Sequence, residues 1–289
     1  MTQKKGKIHI SQIIIYLFAA VLGFCFVYPF WQTLVLSFSE TSYANSPGFK
    51  FWPMEFSLGA YEHVFSTDML LIGYMNTLIR VVAGTLLTLT ITYCAAFAMS
   101  HRDLPGWSLF NFVVVFTMFF SGGLIPSYLN LKNLGILNTR WALILPGAAG
   151  AWNLLVMRSF LKGISKELED AARIDGATPF QIMTRIFLPN SKAILAVVGL
   201  WSVVSHWNAW YDSMVYANKS KFLVLQTVIR RLIVEAEEMN PLEMDRLADI
   251  TPTTIRCATI MVATLPVLLG YPFVQKYLVK GTMVGAIKG

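Results

Sequence analysis

The stretch EDAARIDGATPFQIMTRIFLP, residues Glu169 to Pro189, is a charged segment in a chain that is otherwise strongly apolar. Of the 289 residues, 55% are hydrophobic and only 13% are charged, whereas a soluble domain carries about 25% charged residues. The composition therefore predicts an integral membrane protein. The question is what a charged segment does between two membrane spans.

Six apolar runs are long enough to cross a membrane, since a spanning helix needs about 20 mainly apolar residues. The predicted spans are approximately Gln12–Phe38, Ile72–Met99, Trp107–Leu131, Trp141–Leu161, Ala193–Ala217 and Ile255–Tyr277. Within them, Gly122, Gly123 and Pro126, and the stretch from Pro146 to Ala151, predict kinks rather than binding. We therefore expect an all-α integral membrane fold with six transmembrane helices.

The distribution of Lys and Arg predicts the orientation of the chain, because basic loops remain on the cytoplasmic side. Three lysines precede the first span, six basic residues lie within 158–192, and three lysines lie at or beyond residue 276. Both termini and segment 158–192 are therefore expected in the cytoplasm, and residues 218–254 outside. We expect 1–71 to form an N-terminal span and external loop, 72–277 the transmembrane domain, and 278–289 a cytoplasmic tail.

Several functional classes fit this sequence poorly. The net charge of +7 does not indicate nucleic-acid binding, because the basic residues lie at the ends of apolar runs rather than on one soluble face. Cys25, Cys94 and Cys257 are far apart in apolar runs and lack the spacing of a metal site or disulfide framework. No GxxxxGK[ST] motif is present, so the chain has no P-loop for ATP. We expect no catalytic residue, metal or cofactor in this chain.

The first half of the opening segment predicts a short helix. Ser165 suits the N-cap, and carboxylates in the first turn suit the helix dipole. Leu168, Ala171 and Ala172 form one narrow apolar face at helical spacing. Gly176 lies where a left-handed residue ends a helix at little energetic cost.

The second half predicts another short helix. Thr178 to Gln181 reads as a capping box, with Thr at the N-cap, Pro at the first helical position and Gln at the third. Phe180, Met183 and Phe187 are expected on one face, and Pro189 is expected to end the helix. The segment is therefore predicted to be a cytoplasmic helix–turn–helix between spans four and five.

Two uses of this helix–turn–helix compete. It can be an amphipathic hairpin that lies on the lipid surface or packs on its own bundle. It can also be a docking element for a cytoplasmic partner. Ala171 and Ala172 favour docking, because small residues let a helix seat deeply in a groove, whereas a lipid-facing helix prefers larger apolar residues. Periodicity alone does not decide between them.

The segment also resembles the EAA loop of the membrane subunits of ABC importers. That pattern is Glu-Ala-Ala, three residues, Gly, nine residues, Ile, one residue and Leu-Pro. Here Asp170-Ala171-Ala172, Gly176 and Ile186 to Pro189 keep every interval. The departure is Asp170 in place of Glu, partly offset by the neighbouring Glu169.

Most of the chain is similar to permeases of the carbohydrate-uptake class, of MalG type and especially of LplC type. The stretches that carry this resemblance are Asn76-Thr77-Leu78, FSGGLIPSYL at Phe120–Leu129, LGILNTRWALILPGA at Leu134–Ala148, Arg173–Ala177 and Tyr271–Gly289. The resemblance implies a non-enzymatic permease subunit in the plasma (inner) membrane of a prokaryote. It would form half of a pathway for sugars, as oligosaccharides or polysaccharide fragments.

The resemblance also implies partners and a coupling role for the loop. The partners would be a second homologous permease, two ATP-binding cassette subunits that bind ATP and Mg²⁺, an extracellular or periplasmic solute-binding protein, and the lipid bilayer. The residues expected to couple the chain to the ATPase are Glu169, Asp170, Ala171, Ala172, Gly176, Ala177, Pro179, Ile186, Leu188 and Pro189.

A polar and aromatic run near the external end of span five is the candidate substrate path. Aromatic rings stack on the C–H faces of sugars, while amides and hydroxyls bind their OH groups. The candidates are His206, Trp207, Asn208, Trp210, Tyr211 and Asn153. Trp207 and Tyr211 are expected to share a helix face, although an aromatic belt at the membrane interface explains the same composition. Arg80 is expected to extend outward to the membrane surface.

The alternative function is a self-contained ion-coupled transporter. Such proteins place Asp, Glu or His deep within their spans. Here no Asp or Glu lies in the middle of a predicted span, and Asp212 lies near an end. An intramembrane enzyme is a third class, and the predicted bundle lacks any acid–base, His–metal or Ser–Lys set at helical spacing.

Overall fold

The computed structural model describes residues 10–66, 68–238, 250–266 and 268–269. In this part of the chain all regular structure is helical, apart from one isolated antiparallel bridge between Ser39 and Phe56. The helices are α1 (Ile10–Ser37), α2 (Thr41–Asn45), α3 (Gly59–Phe65), α4 (Asp68–Ser100), α5 (Trp107–Phe119), α6 (Leu124–Asn133), α7 (Trp141–Ile144), α8 (Ala151–Leu161), α9 (Lys166–Ile174), α10 (Pro179–Gln181), α11 (Leu188–Asn190), α12 (Lys192–Asn208), α13 (Tyr211–Tyr216), α14 (Leu225–Glu238) and α15 (residues 252–266). The predicted all-α class is confirmed.

The predicted spans are found as both unbroken and bent helices. By length and composition, α1 and α4 can each cross a membrane alone. Three further pairs of helices are bent at a short break, and the described residues hold up to five spans if each bent pair counts as one span. The third predicted span is broken between α5 and α6 by a 118° bend, and the fourth bends by 49° between Trp141–Gly147 and α8. The breaks contain Gly122 and Gly123 in the third run and Gly150 in the fourth, whereas Pro126 and Pro146 lie in the helical turns beside them. The predicted sixth span continues into residues outside the described part, so the six-span count stays a prediction.

In the described part of the chain, one compact unit consists of residues 10–66, 229–238 and 250–265. Most of α1 is exposed, and its buried residues are confined to the last turn, Val35 to Ser37. Leu36 packs with Ala44 and Cys257 in a small apolar cluster. The hydroxyl groups of Ser37 and Tyr61 are hydrogen-bonded at 2.8 Å. The last turn of α1 is therefore fixed within this unit, while most of its apolar surface is exposed.

In the described part of the chain, the other compact unit consists of residues 68–228, 266 and 268–269, and it is organised around α4. This helix packs against α8 and α12. Its buried stripe recurs every three or four residues and is made largely of small and polar side chains. The stripe contains Gly73, Thr77, Arg80, Gly84, Thr88, Thr92 and Ala96. Such residues allow helices to approach closely within a membrane.

Polar side chains tie α4 to a distant segment of the same unit. The Asn76 amide nitrogen donates to the carbonyl oxygens of Lys221 and Leu223, each at 2.9 Å. Its amide oxygen accepts from Arg140 Nε at 3.0 Å. The Thr77 hydroxyl oxygen accepts from the backbone N–H of Leu225 at 2.9 Å. Residues 221–225 are therefore held against the start of α4.

Candidate functional site: the EAA loop and a polar cavity

The EAA loop (residues 165–190) begins with α9, which ends as the sequence predicts. Gly176 has a φ of +78°, and the N–H of Ala177 donates to the carbonyl of Ala172 at 2.9 Å. This left-handed glycine closes the last turn of the helix. Ser165 occupies the N-cap position of α9, but its hydroxyl makes no capping hydrogen bond, contrary to the expectation.

The second helix of the loop begins with the predicted capping box. The Thr178 hydroxyl oxygen accepts from the N–H of Gln181 at 3.3 Å, and the Gln181 side-chain oxygen accepts from the N–H of Thr178 at 2.8 Å. Residues Ile182–Phe187 then form a π-helix. This helical segment ends at Asn190, and the helix axis bends by 80° at Ser191 before α12 begins. Pro189 therefore lies in the last turn before the break.

The π-helix changes which side chains share a face. In an α-helix, Phe180 and Phe187 would point the same way, because seven residues make about two turns. A π-helical turn takes one additional residue. In the structure Phe180 is 68% exposed, whereas Phe187 is 4% exposed and packs with Ile182. The prediction that Phe180, Met183 and Phe187 form one apolar face is therefore wrong.

Glu169 fastens α9 to the end of α4. Its carboxylate oxygens each lie 3.0 Å from His101 Nε2, and Oε1 also accepts from Arg173 Nη2 at 2.6 Å. Burial by itself raises the pKa of this carboxyl. The hydrogen bonds and charges of Arg173 and His101 outweigh burial and hold the Glu169 pKa below its ordinary value. The Glu169 carboxylate is therefore ionised, and its partners His101 and Arg173 belong to the same chain.

The predicted coupling residues divide into an inner and an outer set. Glu169 is buried, and Ala172, Ala177 and Ile186 are partly buried against the cluster that includes Tyr93 and Met157. The exposed members are Asp170, Ala171, Gly176, Pro179, Leu188 and Pro189. Ile174, which the sequence analysis did not select, is 87% exposed. This outer set consists of small and apolar residues together with one exposed carboxylate, that of Asp170.

A polar cavity lies between α4, the start of α8 and α12. Its volume is about 490 Å³, within the range of ligand pockets. The lining residues are Arg80, Thr88, Gly147, Trp152, Asn153, Trp201, Ser202, Ser205, His206, Ala209 and Asp212. The buried hydroxyls of Thr88 and Ser202 have no hydrogen-bond partner among the described residues. The cavity thus combines two indole rings with two hydroxyls that have no partner among the described residues.

Arg80 is paired inside the protein, so the expectation that it extends to the membrane surface is wrong. Its side chain makes a bidentate ion pair with Asp212, in which Nη1 donates to Oδ1 at 3.1 Å and Nη2 donates to Oδ2. Its Nε lies 3.4 Å from His206 Nδ1. Arg80 is 5% exposed. A buried guanidinium requires such a partner, because an unpaired charge in this environment is strongly destabilising.

The place of His206 depends on a close helix approach at Gly84. A Cβ atom at Gly84 would lie 2.4 Å from His206 Nε2, far inside van der Waals contact. Hydrogen at this position therefore makes room for the imidazole between α4 and α12. The small-residue stripe of α4 thus shapes the cavity wall.

The structure brings together two of the six predicted path residues. His206 and Asn153 line the cavity. Trp207 is buried elsewhere, and Asn208, Trp210 and Tyr211 lie outside the lining. The predicted fifth span, Ala193–Ala217, is not continuous, since α12 ends at Asn208 and a new helix begins at Tyr211. Trp207 and Tyr211 therefore do not share a helix face, and that expectation is wrong.

Lining residues that were not predicted to belong to the path include Arg80, Trp152, Trp201 and Asp212. The signal for the ion pair was present, because Arg80 lies in the second apolar run and Asp212 near the end of the fifth. The two tryptophans gave no separate signal, since aromatic residues are common throughout the chain. Only the fold shows that Trp152 and Trp201 face one cavity.

Comparison with known proteins identifies the family. Residues 89–282 match the model of the family described as the binding-protein-dependent transport system inner membrane component. This match covers more than half of the chain. The chain belongs to that family. It is therefore the membrane-embedded permease subunit of an ABC transporter, and the ATPase is a separate subunit.

Individual relatives of the permease are similar over nearly its whole length. It is 36% identical over 286 residues to the polygalacturonan/rhamnogalacturonan transport system permease protein YtcP of Bacillus subtilis, covering 98% of this chain and 100% of the relative. It is 36% identical over 275 residues to protein LplC of the same organism, covering 94% and 93%. A crystal structure of a bacterial ABC transporter involved in the import of the acidic polysaccharide alginate superposes with a TM-score of 0.86 at 30% identity, covering 94% of this chain and 99% of that one.

Family membership decides between the classes that the sequence analysis compared. The permease is a non-enzymatic component, as expected from the absence of a P-loop motif in its sequence. The self-contained ion-coupled transporter is not supported. The resemblance to ABC importer permeases of the LplC type is confirmed.

Proposed function

We propose that this permease imports fragments of polysaccharides and that the polar cavity is part of their path. It forms half of the pathway, and a second homologous permease forms the other half. The complex includes two ATP-binding cassette subunits and an external solute-binding protein that delivers the cargo. Six spans cross the inner membrane, with both termini in the cytoplasm.

The cavity is the observation that carries this proposal. Trp152 and Trp201 are 60% and 38% exposed and line it together. Exposed indole faces suit the C–H faces of sugar rings, and the hydroxyls of Thr88 and Ser202 and the amide of Asn153 suit sugar OH groups. The relatives named for polygalacturonan/rhamnogalacturonan transport and for alginate import support a saccharide cargo. The other predicted path residues, Trp207, Asn208, Trp210 and Tyr211, would act outside this cavity.

The EAA loop is the proposed coupling element. Its outer set, with the exposed carboxylate of Asp170, would seat in a cleft of the ATPase subunit, while Glu169 holds the loop to α4. Closure of the ATPase dimer on ATP would draw the loops of the two permeases together and open the pathway outward. Hydrolysis would then reset the complex. The loop carries no chemistry because it transmits movement from chemistry done in another subunit.

An uptake assay tests the role of the cavity. Reconstituted complexes are given labelled oligosaccharides from galacturonan, rhamnogalacturonan and alginate, and the one that the wild type imports is used for the variants. Trp201→Ala is expected to reduce uptake by roughly 5- to 150-fold, if a sugar ring on the indole contributes about 1–3 kcal/mol, as nucleobases stacked on aromatic side chains do. Trp141→Ala is the matched control, since Trp141 is 55% exposed and lies outside the lining. Equal uptake by the two variants would exclude the cavity from the path.

A second assay tests the role of the loop. Valine at position 176 would be forced into a left-handed conformation that costs about 1–2 kcal/mol. Gly176→Val is therefore expected to distort the loop and to abolish stimulation of ATP hydrolysis by cargo-loaded binding protein. Gly135→Val is the matched control, because Gly135 also has a positive φ (+69°) and open space around it. Normal stimulation in Gly176→Val would contradict the coupling role.

A further inference from the structure

Three cations surround one indole ring where α4, α5 and α8 meet. Arg102 and Arg158 place their guanidinium carbons 5.8 and 5.6 Å from the centroid of Trp107, and Lys162 places its Nζ at 5.4 Å. The ring is fixed, because Trp107 Nε1 donates to the carbonyl oxygen of Met99 at 2.9 Å. We call Arg102, Arg158 and Lys162 the basic cluster.

The charge of the basic cluster is not neutralised within the described residues. None of its members forms an ion pair there, and Arg158 donates instead to the neutral amide oxygen of Asn111 at 2.5 Å. Desolvation, followed by the charges of Arg158 and Arg102, lowers the pKa of Lys162. Asp103 is adjacent in sequence, but it lines the groove beside His101, Glu169 and Arg173. Three like charges at one ring repel one another, and an anion bound among them would offset that repulsion.

An apolar helix begins at the same tryptophan. Trp107 is the first residue of α5, and none of the residues of this fully described helix is buried. Its exposed side chains include Leu109, Phe110, Phe112 and Val113. A small soluble anion needs only the cations, whereas a phospholipid needs cations for its phosphate and an adjacent apolar surface for its acyl chains. The cations lie around Trp107, and the apolar surface of α5 begins at the same residue, so the site offers both.

We propose that Arg102, Arg158 and Lys162 bind the phosphate of an anionic phospholipid whose acyl chains lie along α5. Arginine suits phosphate oxygens because its guanidinium donates two parallel hydrogen bonds. Basic pockets between membrane helices are sites where anionic lipid headgroups bind. The proposal rests on the membrane location of the family and depends neither on the nature of the cargo nor on the coupling role of the loop.

Native mass spectrometry of the delipidated complex, purified with its partner subunits, tests this site. The probes are dioleoylphosphatidylglycerol and dioleoylphosphatidylcholine, which share acyl chains but differ in charge. Arg102→Gln/Arg158→Gln/Lys162→Gln removes the cluster. Lys132→Gln/Lys219→Gln/Lys221→Gln removes the same charge from three exposed lysines elsewhere in the unit and is the matched control.

The wild type and the control are expected to retain phosphatidylglycerol in preference to phosphatidylcholine. The cluster variant is expected to lose that preference on the order of a hundredfold, about fivefold for each cation. Arg102→Lys keeps the charge and should retain the lipid, whereas Arg102→Gln alone should show about the single-cation loss. These single changes at an exposed side chain keep the test valid even where the triple variant fails to assemble.

Three results would overturn the proposal. One is equal retention of phosphatidylglycerol by the cluster variant and the control. Another is displacement of the lipid from the wild type by inorganic phosphate at millimolar concentration, which would assign the cluster to a soluble phosphate. A third is retention of the lipid only after removal of the ATPase subunits, together with release of those subunits from the cluster variant, which would assign it to carboxylates of that partner.

Discussion

Replacing Gly84 with alanine tests how the cavity wall is built. The added Cβ would lie 2.4, 2.7 and 2.8 Å from His206 Nε2, Cε1 and Cδ2. The contacts open to about 3.4 Å only if the imidazole moves by about 1 Å, and overpacking of this kind costs about 1–3 kcal/mol. Movement of the ring would also break its contact with Arg80 Nε. Alanine by itself favours a helix over glycine by about 1 kcal/mol, so the two effects oppose each other.

A matched variant separates the two effects. Gly199 lies in α12, and a Cβ there would lie 3.4 Å from Leu89 Cδ1, an ordinary van der Waals contact. Gly199→Ala therefore gains the higher helix propensity of alanine without creating a steric clash. We expect Gly84→Ala to be less stable than Gly199→Ala by about 1–3 kcal/mol. Thermal unfolding of the purified complex would show a lower melting temperature, and uptake would fall as well.

The His206→Ala background decides whether the imidazole is the cause. Without the ring, Gly84→Ala should cost no stability, which a double-mutant cycle measures directly. Two outcomes would refute the reasoning. One is equal melting of Gly84→Ala and Gly199→Ala, and the other is an equal cost of Gly84→Ala with and without the His206 side chain.

Two further predictions concern charged contacts. Asp212→Asn leaves the buried Arg80 without its ion-pair partner and should destabilise the complex by about 3 kcal/mol, which is at the lower end of the usual range because the Asp212 side chain is 29% exposed. The double variant Arg80→Met/Asp212→Asn should melt at a higher temperature than Asp212→Asn alone. A lower melting temperature of the double variant would contradict the ion pair as the cause. Because the Glu169 pKa is lowered, its ionised form stabilises the folded loop above the ordinary carboxyl value of 4.5, and this contribution is lost as the pH falls through the lowered pKa. Melting temperatures measured from pH 6 down to pH 3 should therefore fall more steeply for the wild type than for Glu169→Gln. The titratable and charged groups that face Glu169 are His101, Arg173, Asp103 and Asp170, and both proteins retain them. Parallel profiles would exclude a stabilising role of the ionised Glu169.

Local rules predicted the parts of the fold that depend on local chemistry. The left-handed Gly176, the capping box of Thr178 and Gln181, and the bends at the glycine and proline positions follow from backbone sterics and nearby hydrogen bonds. The break of the fifth apolar run at Ala209 and Trp210 was not predictable in this way. Hydropathy averages over many residues, and neither Gly nor Pro marks that break.

The candidate site was predicted less completely, because it depends on distant residues. The partners of Arg80 lie 126 and 132 residues away, at His206 and Asp212. Pattern reasoning treated Arg80 alone and assigned it to the membrane surface. The spacing of the EAA loop located its residues but not their directions, since Glu169 turns inward to His101, 68 residues earlier in the chain. Such pairings are decided by how the helices pack.

The π-helix at Ile182–Phe187 makes the length of the EAA loop as important as its composition. Its one additional residue sets the phase between Phe180, which faces outward, and Phe187, which is buried. Removing a single residue there would restore α-helical phase and rotate everything on one side of the deletion by about 100°. Either the outer set would turn away from a partner or Phe187 would leave its cluster. A substitution within this segment therefore changes one side chain, whereas an insertion or deletion changes the direction in which all residues on one side of it face.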